Sequence, residues 1–326
     1  MKHIILIQNT EFPKQWTIDI YYYAKYLIQK NNIKVTIIVS KINKNIIHDN
    51  IDIIELWKIN HLSFIFKSFF SVRKINISEK IDYAYFFAMH PASVILQILI
   101  KYFLWIKTIY DVVSWPIGKW IISYISKITI KLWVKISDKF IILDKWLIKS
   151  IWLASKKPFE IIPMWFDSDI FYENKNINLF NKKKWELIFT YIWTLDYKRN
   201  LNIFLDAFIE NINNYHYIKL YFIWSWNSEN ALKIKSWNYL NKNIFFLWNK
   251  FHSDIPDYIN SSDILVSYVP KVDYFEYQPP TKLVEYLACN KPVICTNTIA
   301  QEKILQWYEY LIHNDKPFDI YENIHE

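Results

Sequence analysis

Unbroken apolar runs alternate with amphipathic stretches along the whole chain. Ile4–Gln8 is an apolar run of the kind that forms a parallel strand covered on both faces. A loop over Asn9–Trp16, a helix over Thr17–Lys30 and a strand over Lys34–Val39 follow. This strand–loop–helix–strand unit opens a doubly wound sheet. The pattern then predicts strands over Ile51–Leu56, Asp82–Phe87, Thr108–Val113, Lys139–Leu143 and Phe159–Ile162. Helices are predicted over His61–Arg73, Ala92–Ile106, Ile117–Ser137 and Asp144–Trp152.

The periodicity lapses over Asp167–Lys184, which is polar and rich in asparagine and lysine, and so reads as a linker. The same architecture restarts with a strand over Leu187–Ile192, a loop over Thr194–Asn200 and a helix over Leu201–Asn211. Strands over Tyr217–Ile223, Ile244–Leu247 and Asp263–Tyr268 alternate with helices over Asn227–Tyr239 and Ser253–Ser261. The expected organisation is an α/β domain over residues 1–166, a linker over 167–184 and a second α/β domain over 185–326.

Candidate chemistry concentrates in Tyr274–Thr296. Pro279 and Pro280 halt an irregular segment and open a helix at Thr281, because proline is tolerated in the first helical turn. Asn290 stands where a helix C-cap is expected, and Pro292–Thr296 reads as a buried strand. Lys282 and Glu285, three residues apart, share one helix face. A helix start with a lysine beside it suits an anion, and the carboxylate suits the paired hydroxyls of a ribose. A plain amphipathic helix with a surface Lys–Glu pair accounts equally well for this stretch alone. His90 follows a predicted strand end, the edge that lines ligand clefts in such sheets.

Composition changes this picture at one point. The 326 residues include one glycine, Gly118, and 16 tryptophans. Average usage would give about 23 glycines. Trp165, Trp193, Trp224, Trp226 and Trp248 stand at predicted strand ends, where doubly wound sheets place glycines. The expectation is that most of these tryptophans are UGA codons which the source organism reads as glycine. Trp105, Trp133 and Trp146 lie in helical contexts and are the least diagnostic. The competing reading is a tryptophan-rich protein that stacks sugars on its indoles.

The net charge of +8 favours an anionic partner without naming it. No nucleic-acid-binding motif accompanies it. Lys127, Lys131 and Lys135 recur at every fourth residue of a predicted helix, so an anionic membrane surface is one candidate partner and ordinary solvation the other. Cys289 and Cys295 form no disulfide or zinc pattern. The apolar run Ile4–Ile7 is too short for a signal peptide, and Ala92–Ile106 too short for a membrane span, so a cytoplasmic protein is expected.

With tryptophan read as glycine, the segment order resembles the family-4 glycosyltransferases, retaining enzymes of the GT-B fold with two Rossmann-like domains facing across a cleft. The matching segments are IIPMWFDSDIF (Ile161–Phe171), YIWTLDYKRNLNIFLDAF (Tyr191–Phe208), LYFIWSWNSE (Leu220–Glu229), FFLWNKFHSDIPDYINSSDILVS (Phe245–Ser267) and PTKLVEYLACNKPVI (Pro280–Ile294). Five in order carry more weight than any one. The resemblance implies that Glu285 binds the donor ribose and that Arg199 neutralises the donor diphosphate. Lys282 supplies the charge of the family's second basic residue, whose position holds Thr194. Trp193, Trp224, Trp226 and Thr281 would belong to the donor loops. Glu276 stands one position from the family's first glutamate. His90 matches a histidine near the transferred sugar, and Trp16 a glycine of the acceptor-side loop.

The implied reaction is hexosyl transfer from a nucleotide diphosphate sugar to a glycan or lipid-linked acceptor in cell-envelope polysaccharide synthesis, without a metal or other cofactor. It would take place in the cytoplasm, on the inner face of the membrane. A nucleotide-sugar epimerase of the same fold and a non-catalytic carbohydrate-binding protein are the alternatives. The chain stops at Glu326, short of the family's final helices, and is expected to be truncated.

Overall fold

The computed structural model describes residues 1–12, 19–30, 32–42, 51–57, 60–87, 93–112, 120–145, 148, 157–278, 280–306 and 311–313. Trp16, His90, Trp146 and most of the predicted helix Asp144–Trp152 lie outside these residues. The chain divides into two units, Met1–Pro163 and Met164–Glu326.

The first unit is built on a seven-stranded sheet. Its strands are β1 (Lys2–Phe12), β2 (Ile33–Ile42), β3 (Asp52–Glu55), β4 (Tyr83–Phe87), β5 (Lys107–Val112), β6 (Lys139–Ile142) and β7 (Phe159–Ile161). Their order is β3-β2-β1-β4-β5-β6-β7, and every pairing is parallel. Helices α1 (Asp19–Ile28), α2 (His61–Ser78), α3 (Val94–Phe103) and α4 (Trp120–Ile136) cover it.

Alternate residues of β4 show which helix lies on which face. Tyr23 of α1 meets Tyr85 and Phe87 edge-on at 5.9 and 6.3 Å. Trp133 of α4 meets the intervening Phe86 at 5.2 Å and stacks on Tyr110 at 4.8 Å. Successive strand side chains point to opposite faces, so α1 and α4 lie on opposite sides of the sheet. Phe64 and Val72 of α2 and Leu96 and Ile100 of α3 join the same core as Trp133.

The second unit carries β8 (Leu187–Ile192), β9 (Ile218–Ile223), β10 (Ile244–Leu247), β11 (Ile264–Ser267), β12 (Val293–Cys295) and β13 (Leu311–His313). Their order is β10-β9-β8-β11-β12-β13, again parallel throughout. The strand order reverses between β8 and β11, and in such sheets ligands bind outside the carboxyl ends at that point. The helices are α5 (Leu201–Asn214), α6 (Glu229–Lys235), α7 (Ile255–Ser261), α8 (Asp273–Glu276), α9 (Thr281–Ala288) and α10 (Ile299–Leu305).

Residues 167–184 are not the expected linker. They pack onto the second unit, whose boundary falls at Met164 and not at residue 185. Phe171 is buried with Ile255 and Leu283, and Phe180 lies 4.1 Å from the ring of Tyr221. The Asn174 N–H donates to Asn260 Oδ1 at 2.9 Å, and the Leu179 N–H to Ser261 Oγ at 2.9 Å. Backbone-to-side-chain bonds of this kind leave no hydrophobic period in the sequence.

Four of the described tryptophans stand out, whereas the strand-end Trp165, Trp193, Trp226 and Trp248 have no positive φ. Trp133 is a core residue in a helix. Trp57, Trp105 and Trp224 adopt φ of 58°, 57° and 122°. A bulky L-residue there is a backbone outlier, whereas glycine is at ease. Trp105 therefore departs from the helical context expected for it, because α3 ends at Phe103 and the chain turns left-handed past its end.

Candidate functional site

Three neighbouring strands of the second unit, β8, β9 and β10, are each followed at once by a tryptophan: Trp193, Trp224 and Trp248. The loops that leave these ends are tied to one another. The Ser228 N–H and hydroxyl both donate to the Leu195 carbonyl, at 2.9 and 2.5 Å. The Tyr197 N–H donates to Asn227 Oδ1 at 3.0 Å, and the Ser225 N–H to Asn249 Oδ1 at 2.8 Å. Short polar side chains that bond nearby backbone favour such loops over further helix or strand.

Arg199 closes the loop after β8, within a tight turn over Tyr197–Arg199. Asp196 starts that turn by accepting the Lys198 N–H at 2.9 Å, and Asn200 ends it at φ 48°. The guanidinium is buried, its carbon 3.9 Å from the ring centre of Trp193 and 5.5 Å from that of Phe275. Nε donates to Thr194 Oγ1 at 3.2 Å. Nη1 is buried and has no hydrogen-bond partner among the described residues. An unmet donor on a buried group costs about 1–3 kcal/mol, and more when the group is charged. A bound anion would remove that cost. Burial pushes the neighbouring Tyr191 hydroxyl up to about 12, against the Arg199 charge and a loose contact with its guanidinium that leaves both Nη1 and the hydroxyl short of a well-formed hydrogen bond.

Glu285 lies one turn into α9 and is 4% exposed. Lys282 Nζ donates to Oε2 at 2.6 Å, and His252 Nε2 lies 3.5 Å from Oε1. Burial alone would raise the carboxyl pKa, but the Lys282 charge and His252 together hold it below the usual carboxylate range. The group is therefore ionised at neutral pH. A carboxylate has about four lone-pair sites, so acceptor capacity remains for hydroxyl donors. Tyr286 pins α9 to the end of β8: its hydroxyl accepts the Ile192 N–H at 3.2 Å and donates to the Ile192 carbonyl at 3.4 Å. The Arg199 loop and Glu285 are thus fixed to adjoining backbone.

Several expected site residues make contacts the sequence did not indicate. The Lys282–Glu285 pair is buried, not a surface pair, and Lys282 spends its charge on Glu285 and not on a free anion site. Glu276 accepts the Ile299 N–H at 3.3 Å and so satisfies the start of α10. The Thr281 hydroxyl lies 3.5 Å from Met164 Sδ. Trp193 covers the guanidinium, Trp224 is buried in the core below α9, and Trp226 is half-exposed. Trp16 and His90 lie outside the described residues. Sequence reading missed His252, Asn249 and Tyr286, although Tyr286 adjoins Glu285 and Asn249 follows a strand-end tryptophan. No group of three or more His, Cys, Asp or Glu side chains among the described residues is placed to hold a metal ion.

The geometry defines a class: two doubly wound α/β units, the second carrying a buried, unsatisfied arginine and a buried carboxylate at its carboxyl edge. Residues 172–326 match the family described as glycosyl transferases group 1. No curated protein matches the chain. Among solved structures, sucrose-phosphate synthase from Thermosynechococcus elongatus superposes with a TM-score of 0.77 at 13% identity, covering 100% of this chain and 89% of that one. HepE from Anabaena, solved with UDP, gives 0.71 at 12% identity, with 100% and 89% covered. WaaG, a glycosyltransferase involved in lipopolysaccharide biosynthesis, gives 0.69 at 12% identity, with 99% and 88% covered. These likenesses establish the fold as GT-B, with two Rossmann-like units.

Proposed function

We propose that the protein is a retaining hexosyltransferase of family 4. It moves a sugar from a nucleotide diphosphate sugar to a glycan or lipid-linked acceptor in cell-envelope polysaccharide synthesis. The unsatisfied, buried Arg199 carries this reading. The family match over the second unit and the structures of HepE with UDP and with UDP-glucose support it. In this reaction Arg199 stabilises charge growing on the leaving diphosphate, and Glu285 accepts hydrogen bonds from the ribose hydroxyls. By the family resemblance His90 is assigned to the transferred sugar and Trp16 to the acceptor side, both outside the described residues. The fixed charge of Arg199 takes the place of a metal. The enzyme works in the cytoplasm, on the inner face of the membrane.

We also propose that glycine is the natural residue at most tryptophan positions, with UGA read as glycine. Positive φ at Trp57, Trp105 and Trp224, and the indole of Trp193 lying over the anion-binding arginine, favour this. Protein with glycine at 193, 224 and 226 is expected to hydrolyse or transfer from a nucleotide sugar in a donor screen, and protein with tryptophan there is not. In the active form, Arg199→Ala and Glu285→Ala each lower kcat/KM by about a hundredfold or more, while circular dichroism shows that the fold is retained at the assay temperature. Wild-type rates from either variant would refute the assignment. Turnover of donor without any acceptor into an epimeric nucleotide sugar would instead identify an epimerase.

A further inference from the structure

Two buried amides of the second unit are bonded at both ends. Gln301 of α10 accepts the Ser267 hydroxyl on Oε1 at 2.6 Å and donates from Nε2 to the Thr296 carbonyl at 2.8 Å. Asn260 of α7 accepts the Asn174 N–H and donates to the carbonyls of Tyr172 and Pro256. Gln278 and Asn297 differ. Gln278 Oε1 and Asn297 Oδ1 are enclosed, and neither has a hydrogen-bond partner among the described residues. An enclosed acceptor is costly to leave unmet, so a pair of them marks a place that a ligand's donors complete.

The two oxygens belong to neighbouring loops at the carboxyl edge of the sheet. Gln278 lies on the segment that leaves β11, and Asn297 follows β12. These segments are stitched together twice. The Val269 N–H donates to Thr296 Oγ1 at 3.2 Å, and the Ile299 N–H to Glu276 Oε1 at 3.3 Å. Phe275, three residues before Gln278, lies against the Arg199 guanidinium. Neither amide is a partner of Glu285, which is held by Lys282 and His252. A nucleotide diphosphate sugar carries its ribose and its sugar at opposite ends of the diphosphate. With Glu285 on the ribose and Arg199 on the diphosphate, the unmet oxygens beside the arginine fall to the sugar. We infer that Gln278 and Asn297 accept hydrogen bonds from hydroxyls of the sugar to be transferred, and so determine which sugar is taken. The inference rests on the proposed transfer reaction. Two neutral carbonyls select a hexose with free hydroxyls at the matching positions over its deoxy counterpart, because an absent hydroxyl leaves an oxygen unmet again.

Calorimetric titration of the full chain with glycine at 193, 224 and 226 tests it. The probes are UDP, ADP and GDP, each beside its conjugate UDP-glucose, ADP-glucose or GDP-mannose. For the pair that binds, Gln278→Leu and Asn297→Leu are each expected to weaken the conjugate about tenfold and to leave the bare nucleotide within twofold. Unchanged nucleotide binding also shows that the variants are folded. Gln278→Glu keeps an acceptor and is expected to restore most of the conjugate's affinity. A deoxy conjugate lacking the matching hydroxyl is expected to bind the parent about tenfold more weakly and the leucine variant no worse than the full sugar does. Equal losses for nucleotide and conjugate, or no loss for either, would overturn the inference and leave the transfer reaction standing. Failure of the parent to bind any of the three nucleotides would overturn the transfer reaction, and the inference with it.

Discussion

Replacing tryptophan by glycine ordinarily destabilises a protein, yet at Trp57 and Trp105 it is expected to stabilise this one. Both residues hold φ near 57°, and their side chains are 71% and 86% exposed. Left-handed backbone costs an L-residue about 1–2 kcal/mol. Glycine escapes that cost but loses about 0.5–1 kcal/mol to its greater freedom when unfolded. Little packing is forfeited at such exposure, so each change nets about 0.5–1 kcal/mol. The double variant Trp57→Gly, Trp105→Gly is expected to raise the melting temperature of the first unit by about 2–8 °C.

Trp133 provides the contrast within the same unit. It is helical, buried and stacked on Tyr110, so Trp133→Gly loses about 3–5 kcal/mol of packing and about 1 kcal/mol of helix propensity. Trp224 combines both properties, with φ of 122° and a buried side chain. Relief of about 1–3 kcal/mol of strain there is outweighed by a packing loss of about 3–5 kcal/mol. Thermal or urea melts of the four variants, following each unit separately, measure the pattern. A fall in melting temperature for Trp57→Gly and Trp105→Gly alike would show that φ and burial do not decide the sign, and the glycine proposal would lose its structural support.

Two further expectations follow from the polar groups. His252 holds the carboxylate of Glu285 without standing in the proposed path of the diphosphate, so His252→Ala is expected to raise the donor KM about two- to tenfold while kcat stays within twofold; a loss confined to kcat would contradict this positioning role. In the first unit, burial raises the Asp111 carboxyl to about 7, with the Tyr85 hydroxyl donating to it. A folded pKa raised above the unfolded 3.8 gives stability that is full below pH 3.8 and lost as pH rises toward 7. Asp111→Asn escapes that loss, so its melting temperature relative to wild type is expected to climb between pH 5 and 8.5, by the equivalent of about 2–4 kcal/mol; a gap that does not change with pH would refute it.

Elements whose contacts are hydrophobic were legible in the sequence. The bounds of β8 and β10 coincide with the runs Leu187–Ile192 and Ile244–Leu247, because β8 is buried almost throughout with Thr190 its one polar residue, and the edge strand β10 is wholly apolar. Helix α2 runs past Arg73 to Ser78, since Asn60 caps its start by accepting the Ser63 N–H and Ile75 packs against the core. Elements fixed by local polar bonds were not legible. Helix α10 starts on the Thr298 hydroxyl and the Glu276 carboxylate, and its seven residues are too short to show a period. The site divided in the same way. Glu285 and Arg199 were legible as candidates because each sits in a recognisable segment, whereas His252 reaches Glu285 from 33 positions earlier in the chain.

Thr194 shows how the proposed donor site would work with one arginine where the resembled family has a basic pair. Its hydroxyl accepts Nε of Arg199, and the rings of Trp193 and Phe275 flank the guanidinium, so the group is oriented before any ligand arrives. A lysine in the same place would have a flexible stem to immobilise on binding, while a guanidinium fixed at its Nε edge has already lost that freedom during folding. Lys282 cannot substitute without releasing Glu285, and a buried carboxylate stripped of its cation would be strongly disfavoured. The two cations are therefore separated by their partners: Lys282 holds Glu285 ionised, and Arg199 keeps an unmet N–H for the proposed anion.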